Sequence, residues 1–381
     1  MKKLLVVHTN YRIIGGEDIA VKNEIKILEK HYDLRTLYFS NENVNIIDDF
    51  LTFFTGKNRR SKKILEKIID EFQPDLVYVH NTWYKASLAI FSVLKKKNIK
   101  TLLKIHNFRY NCTRYFSASK HLGNQNECMG CGFSKSKNKF FNKYFVESYL
   151  KSFFVIIYGK KYLKIIQDEV FNVVLLTDFH KNFMYENKIR TKNISVIPNV
   201  LSVNDTHNVA EKGKYIIYAG RMSVEKGVDL LIKAFLDCEL KDISLKLVGV
   251  GPIYNSLKTK YQSDNIIFLG EKSNQDVLEM INKSLAVVSA TRLLEGQPTL
   301  LSEASFLGVP AIFPSNGGIE EFFPKNYELS FENNNNKDLQ KKLMVINDPK
   351  LLKEIGSENK EYITEKLNEK IFLENFESVS K

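Results

Sequence analysis

Short apolar runs rich in β-branched residues alternate along the chain with longer stretches whose apolar positions recur every three or four residues. "LLVVHTN" (4–10) leads into "EDIAVKNEIKILEK", "PDLVYVHN" into "KASLAIFSVLKKK", and "KTLLKIHNF" follows. After the polar stretch "LSVNDTHNVAEKGK" the alternation restarts more regularly. "YIIYAGR" precedes "VDLLIKAFLD", "SLKLVGVGP" precedes "IYNSLKTKY", "NIIFLG" precedes "QDVLEMINKS", "LAVVSA" precedes "PTLLSEASFLG", and "PAIFPSN" ends the series. The runs have the length of buried strands and the stretches between them that of amphipathic helices. Strands alternating with helices in this way predict parallel sheets covered on both faces.

Two such series predict an α/β fold of two doubly wound, Rossmann-like domains. Their expected bounds are 1–202 and 203–365, with a last helix over 366–381 free to cross back to the first domain. Ligands of such sheets bind outside the carboxyl ends of the strands. Two facing sheets are therefore expected to set a site in the cleft between them.

Composition agrees with a soluble globular protein: 381 residues, 44% apolar and 26% charged. No run approaches the roughly 18 uncharged residues of a membrane span. The start, "MKKLLVVHTNYR", lacks a small-residue cleavage site and reads as a first strand rather than a signal peptide. Four cysteines do not make a secreted disulfide framework, so the cytoplasm is the expected compartment. The net charge of +12 fits nucleic acid, an anionic membrane surface or phosphorylated substrates, and equally a well-solvated surface.

Three turns carry candidate chemistry. In "NYRIIGGEDIA", Gly15 and Gly16 omit the Cβ atoms that would hold a ligand off the backbone, and a helix start near Glu17 offers unpaired amides to an anion; a plain turn reads the same way. In "GRMSVEKGVDLL", Arg221 and Lys226 set two cations at a strand's carboxyl end, which suits a diphosphate, although two solvated surface cations also fit. In "ATRLLEGQPTLLSEA", Pro298 suits the first helical position, so the amides of Thr299 and Leu300 point out of the helix start. Glu295 stands before that helix and Glu303 about one turn inside it. Carboxylates beside an anion-binding helix start can accept hydrogen bonds from sugar hydroxyls; as a bland alternative they complement the helix charge.

Cys112, Cys128 and Cys131 form C-x15-C-x2-C, the last pair with zinc-knuckle spacing, and His106 or His121 would complete a site. Reduced thiols packing a loop are the favoured alternative. Residues 137–164 hold seven lysines against one glutamate among many aromatics, a composition suited to an anionic bilayer or to a buried helix with solvated lysines.

"RMSVEKG" followed some seventy residues later by "EGQPTLLSE", together with "GGED", "HNTW" and "LLKIHNFRYNC", resembles family 4 glycosyltransferases of the GT-B fold, in particular members from bacterial polysaccharide assembly. Glu295 and Glu303 fit that family's Glu-x7-Glu signature. The resemblance implies a retaining, metal-independent transfer from a nucleotide-sugar, with UDP favoured over GDP, to a glycan or lipid-linked acceptor. It implies that Gly16 approaches the donor diphosphate and that Arg221 and Lys226, with the amides of Thr299 and Leu300, neutralise the leaving phosphates. Glu303 would hold the ribose, Glu295 the transferred sugar, and His106 would contact that sugar near the reaction centre. No cofactor and no nucleic-acid partner is implied, and the location is cytoplasmic or peripheral on the inner membrane. Asn107 stands where many members carry aspartate, and Gln297 replaces a bulkier residue. His80 with Asn81 ends another strand, either lining the acceptor side or serving structurally. A nucleotide-sugar epimerase and a phosphorylase share the fold and stay open as alternatives; a basic nucleic-acid-binding protein lacks a recognisable motif.

Overall fold

A computed structural model describes the chain except residues 11–14, 41–51, 53–54, 56–57, 84, 109, 111–148, 202–210 and 239. It divides into two units, residues 1–200 with 369–381, and residues 201–368.

The first unit is built on β1 (Lys3–Asn10), β2 (Asp33–Ser40), β3 (Leu76–Val79), β4 (Lys100–Lys104), β5 (Phe171–Leu175) and β6 (Ile194–Val196). These form one sheet in the order β2-β1-β3-β4-β5-β6, and every pairing is parallel. Parallel neighbours need crossovers, which α1 (Gly16–Leu28), α2 (Arg59–Phe72), α3 (Ala89–Lys96), α4 (Tyr149–Ile166) and α5 (Asp178–Glu186) occupy among the described residues. Local sequence places their starts. Asn58 accepts from the amides of Arg60 and Ser61 ahead of α2, and Thr177 from that of His180 ahead of α5.

The sheet is covered on both faces. Leu5, Val7, Val77, Val79 and Leu103 point to one core, Leu4, Val6, Tyr78 and Leu102 to the other. The second core also receives Phe372 and Phe376 from the last helix of the chain, α12 (Glu369–Ser380). These phenylalanines lie at i and i+4, on one helix face, and Phe376 meets the rings of Tyr32 and Tyr78 at 5.7 and 5.1 Å. Full burial of one such side chain stabilises by about 1.5–3 kcal/mol.

The second unit carries β7 (Tyr215–Ala219), β8 (Ser244–Val248), β9 (Ile266–Gly270), β10 (Ala286–Val288), β11 (Ala311–Ser315) and β12 (Ser330–Glu332) in the order β12-β11-β10-β7-β8-β9. All its pairings are parallel as well. Numbered from the start of this unit the order is that of a dinucleotide-binding sheet, 3-2-1-4-5-6 read from the opposite edge. The connecting helices are α6 (Val228–Asp237), α7 (Tyr254–Lys260), α8 (Asn274–Asn282), α9 (Thr299–Phe306), α10 (Asn336–Met344) and α11 (Pro349–Lys366). Ser273, Asn335 and Asp348 cap α8, α10 and α11 by accepting from Asp276, Asp338 and Leu351 amides.

Each sheet has one point at which the strand order reverses. In the first unit the chain leaves β1 toward β2 and returns on the other side at β3. In the second it leaves β7 toward β8 and returns at β10. Ligands of doubly wound sheets bind at such points.

The three cysteines at 112, 128 and 131, and His121 with them, lie outside the described residues, as does the first part of the basic aromatic stretch. Its described part is α4, whose Phe154, Val155, Ile156 and Tyr158 are buried. No described helix is long and apolar enough to cross a membrane.

Candidate active site

In the second unit, the turn after β7 and the loop after β10 meet at the reversal of strand order. Gly220 follows β7, and Arg221 comes next and is exposed. A short 3-10 turn, Val224–Lys226, then leads through Gly227 into α6. Gly227 takes φ 64°, and a Cβ there would stand 1.9 Å from the Ala290 carbonyl oxygen, so this turn presses directly on the start of the loop after β10. That closeness brings Lys226 Nζ to 2.5 Å from Glu295 Oε1, an oxygen that also accepts from Thr291 Oγ1 at 3.1 Å. The Lys226 ammonium is thus paired rather than standing as a spare cation.

The loop is held from outside the pair as well. Arg292 grips Asp229 on α6 through two hydrogen bonds of 3.0 and 2.9 Å and donates to the Val224 carbonyl. Asn316 donates to the carbonyls of Arg292 and Leu293, and the Gly318 amide to that of Glu295. Glu295 is therefore fixed at both its backbone and its carboxylate.

Pro298 is the N-cap of α9, and Thr299 the first helical residue. The sequence expectation put the proline one position further in; its φ of −73° suits either place. The amides of Thr299 and Leu300 belong to the first turn, which has no intrahelical acceptors. Glu303 is the fifth residue of α9 and only 6% exposed. Burial raises its pKa to about 7, and no described cation or hydrogen-bond donor offsets that.

The reversal point of the first unit holds a different set. The pairings Val7↔Val79 and Val79↔Leu103, continued by one residue, set His8, His80 and Lys104 abreast at the carboxyl edge. His8 Nε2 lies 2.8 Å from Asp18 Oδ1, and Asp18 Oδ2 accepts from the Gly15 amide at 2.8 Å. Gly15 is the N-cap of α1 with extended backbone, and Gly16 the helix's first residue. The Gly15 amide is thus taken by Asp18, whereas the amides that the sequence offers to an anion are those of the helix start near Glu17.

Lys104 is buried and bonded to Glu24 of α1, which also accepts from Tyr78 Oη at 2.9 Å. Burial pushes Glu24 up and Lys104 down, each opposed by its partner's charge. His106 stands two residues past β4, its Nε2 at 3.0 Å from Nδ1 of His80. A cavity at this edge is lined by His80, Asn81, Trp83, Lys104, His106 and Tyr158 among others. No three described His, Cys, Asp or Glu side chains converge to hold a metal ion.

Sequence reasoning singled out Arg221, Lys226, Glu295, Glu303 and the α9 start, and the structure brings Lys226 and Glu295 into contact on neighbouring loops. It missed Thr291, the Arg292–Asp229 brace, Asp18 and the Lys104–Glu24 pair. A lysine inside the apolar run "LLKIHN" was the visible signal for the last of these; nothing local pointed to the others.

Residues 203–362 match the family described as Glycosyl transferases group 1. Over 374 residues the chain is 26% identical to an uncharacterized glycosyltransferase of Methanocaldococcus jannaschii, a similarity that covers 94% of this chain and 93% of that protein. It is 26% identical over 174 residues to lipopolysaccharide 1,2-N-acetylglucosaminetransferase of Salmonella typhimurium, covering 39% of this chain and 45% of the relative. Among solved structures, HepE of Anabaena in complex with UDP and glucose aligns with a TM-score of 0.69 at 14% identity, covering 100% of each chain. Fold and family match define the class: a glycosyltransferase with the two Rossmann-like units of the GT-B fold. Within that class, residues 203–362 of the second unit carry the group 1 match.

Proposed function

We propose that this glycosyltransferase moves a sugar from a nucleotide-sugar, with retention of anomeric configuration and without a metal ion, to a glycan or lipid-linked acceptor of a surface polysaccharide. The observation that carries the reading is the meeting of Lys226 and Glu295 beside the α9 start, where the strand order of the second sheet reverses.

Breaking a glycosyl–phosphate bond builds negative charge on the leaving phosphate and positive charge at the anomeric carbon. Preorganised donors aimed at the phosphate oxygens are the largest expected contribution to the rate. Arg221 and Lys226 supply fixed cations there, and the Thr299 and Leu300 amides add dipoles. Glu295, already oriented by Thr291 and Gly318, accepts from hydroxyls of the transferred sugar once phosphate competes for Lys226. Glu303, buried without a donor, accepts from the ribose hydroxyls. To the first unit we assign the His106 contact with a sugar hydroxyl and backbone approach to an anion at Gly16, beside Gly15.

UDP is favoured as the nucleotide because HepE, which shares the fold, was solved with UDP and glucose. The lipopolysaccharide enzyme of Salmonella supports a surface-glycan acceptor. Contact with anionic lipid rests on the composition of residues 137–164 alone, and vesicle binding at low salt tests it.

Thermal unfolding with UDP, GDP and ADP tests the donor assignment. A nucleotide at a hundred times its dissociation constant stabilises by about 2.7 kcal/mol. No shift with any of the three rejects the reading. The anomeric configuration of the product tests retention, and activity in excess chelator tests metal independence.

A further inference from the structure

Two imidazoles meet at the carboxyl edge of the first sheet. Nδ1 of His80 and Nε2 of His106 are 3.0 Å apart, and the rings lie with centroids 5.3 Å and planes 28° apart. A contact between two ring nitrogens holds one proton, so one ring donates and the other accepts. The two outer nitrogens, Nε2 of His80 and Nδ1 of His106, are buried and have no hydrogen-bond partner among the described residues.

Both rings are held well below the ordinary histidine pKa. Burial is the first cause for each; Lys104, His8 and His180 add to it at His106, and His106, His8 and Lys104 at His80. Each ring is therefore neutral at pH 7 and carries a single proton. Only two arrangements satisfy the contact. If both rings are Nδ1–H, His80 donates and His106 turns an N–H outward. If both are Nε2–H, His106 donates to His80 and its own Nδ1 is left bare. A neutral histidine side chain intrinsically favours the Nε2–H form, and the second arrangement grants that form to both rings at once.

We propose that His80 is a positioning residue that keeps His106 in its Nε2–H form, so that His106 presents a bare Nδ1 to accept a hydrogen bond from a sugar hydroxyl. The partner nitrogen of a histidine sets its tautomer in this way wherever the second nitrogen has a task. The inference deepens the assignment of His106 as a sugar contact and rests on it.

The test is the ring 15N spectrum of the full chain, labelled at histidine, in the parent, His80→Asn and His80→Leu. Asparagine can place a carbonyl oxygen where Nδ1 of His80 stood, and leucine cannot. The expected spectrum shows His106 with an unprotonated Nδ1 in the parent and in His80→Asn, and a mixture of tautomers in His80→Leu. Turnover of UDP-glucose, read as UDP released, is expected to fall about tenfold in His80→Leu, the worth of one lost hydrogen bond, and to recover largely in His80→Asn. A protonated Nδ1 on His106 in the parent overturns the proposal. So does a His80→Asn variant as impaired as His80→Leu, which would mark a purely structural role. If His80→Leu does not fold, the parent and His80→Asn spectra decide. His106→Ala separates the two levels: full activity in that variant defeats the catalytic assignment, while the ring spectra still report the tautomer.

Discussion

Lys226 and Glu295, 69 residues apart in the chain, meet at 2.5 Å because β7 and β10 are neighbours in the sheet. Their side chains are 33% and 21% exposed, so as a stabilising contact the pair is screened and contributes about 1 kcal/mol at most. Its expected weight lies in catalysis. Lys226→Met is expected to slow sugar transfer on the order of a hundredfold or more, the loss typical of one preorganised donor. Melting within a few degrees of the parent, measured alongside initial rates, separates this from misfolding. A rate within threefold of the parent removes Lys226 from the mechanism.

Glu303 makes the second unit sensitive to pH. Its carboxyl is ordinarily near 4.5, and burial raises it to about 7. Between those values the folded protein keeps a proton that the unfolded chain has released, so stability falls as pH rises through the window. The loss is complete above pH 7 and amounts to about 3 kcal/mol. Glu303→Gln is expected to flatten this slope, leaving the variant more stable than the parent at pH 8 and close to it at pH 5. Urea unfolding at the two pH values measures the difference.

The same carboxyl links pH to ligand binding. If ribose hydroxyls donate to the ionised form, affinity for UDP rises with pH and levels off above about 7, where the free protein is already ionised. Calorimetric titration with UDP between pH 5.5 and 8 reads this; affinity that falls with pH places the ribose elsewhere.

Gly227→Ala tests how the Lys226 turn is held. A left-handed φ costs a residue with a Cβ about 1–2 kcal/mol. The 1.9 Å approach to the Ala290 carbonyl adds to that, since backbone must move. A loss above about 2 kcal/mol is expected, with reduced nucleotide binding as Lys226 shifts.

In the first unit, Lys104→Met strands a buried Glu24 carboxylate. Removing one partner of a buried pair costs about 3–5 kcal/mol, whereas an apolar replacement of both is far milder. The double variant Lys104→Met/Glu24→Leu is therefore expected to be more stable than Lys104→Met alone in urea unfolding. The opposite order would show that Tyr78 and water suffice to hold Glu24.

Much of this architecture was legible because buried parallel strands leave continuous apolar runs. "LLVVH", "LVYV", "YIIYA" and "SLKLV" each became a strand of a fully parallel sheet. Strand β2 was passed over for the converse reason: at the sheet edge, "DLRTLYFS" buries only Leu37 and Phe39 and lacks such a run. β12, three residues long, leaves no periodicity to read. In the candidate site, Arg221, Lys226, Glu295 and Glu303 stood out because charges flanked glycine and proline turns. Pairings across the sheet did not. That Asp18 would bind His8, Asp229 would brace Arg292, or His80 would face His106 depends on which strands become neighbours, and one-dimensional spacing carries no trace of it.

Since Phe372 and Phe376 complete a core begun by Leu4 and Val6, the amino-terminal lobe is discontinuous in the polypeptide. On the ribosome it must wait, one helix short, until the whole intervening lobe has been synthesised. A stop codon just ahead of α12 would thus injure the beginning of the protein and spare the segment just upstream of the stop.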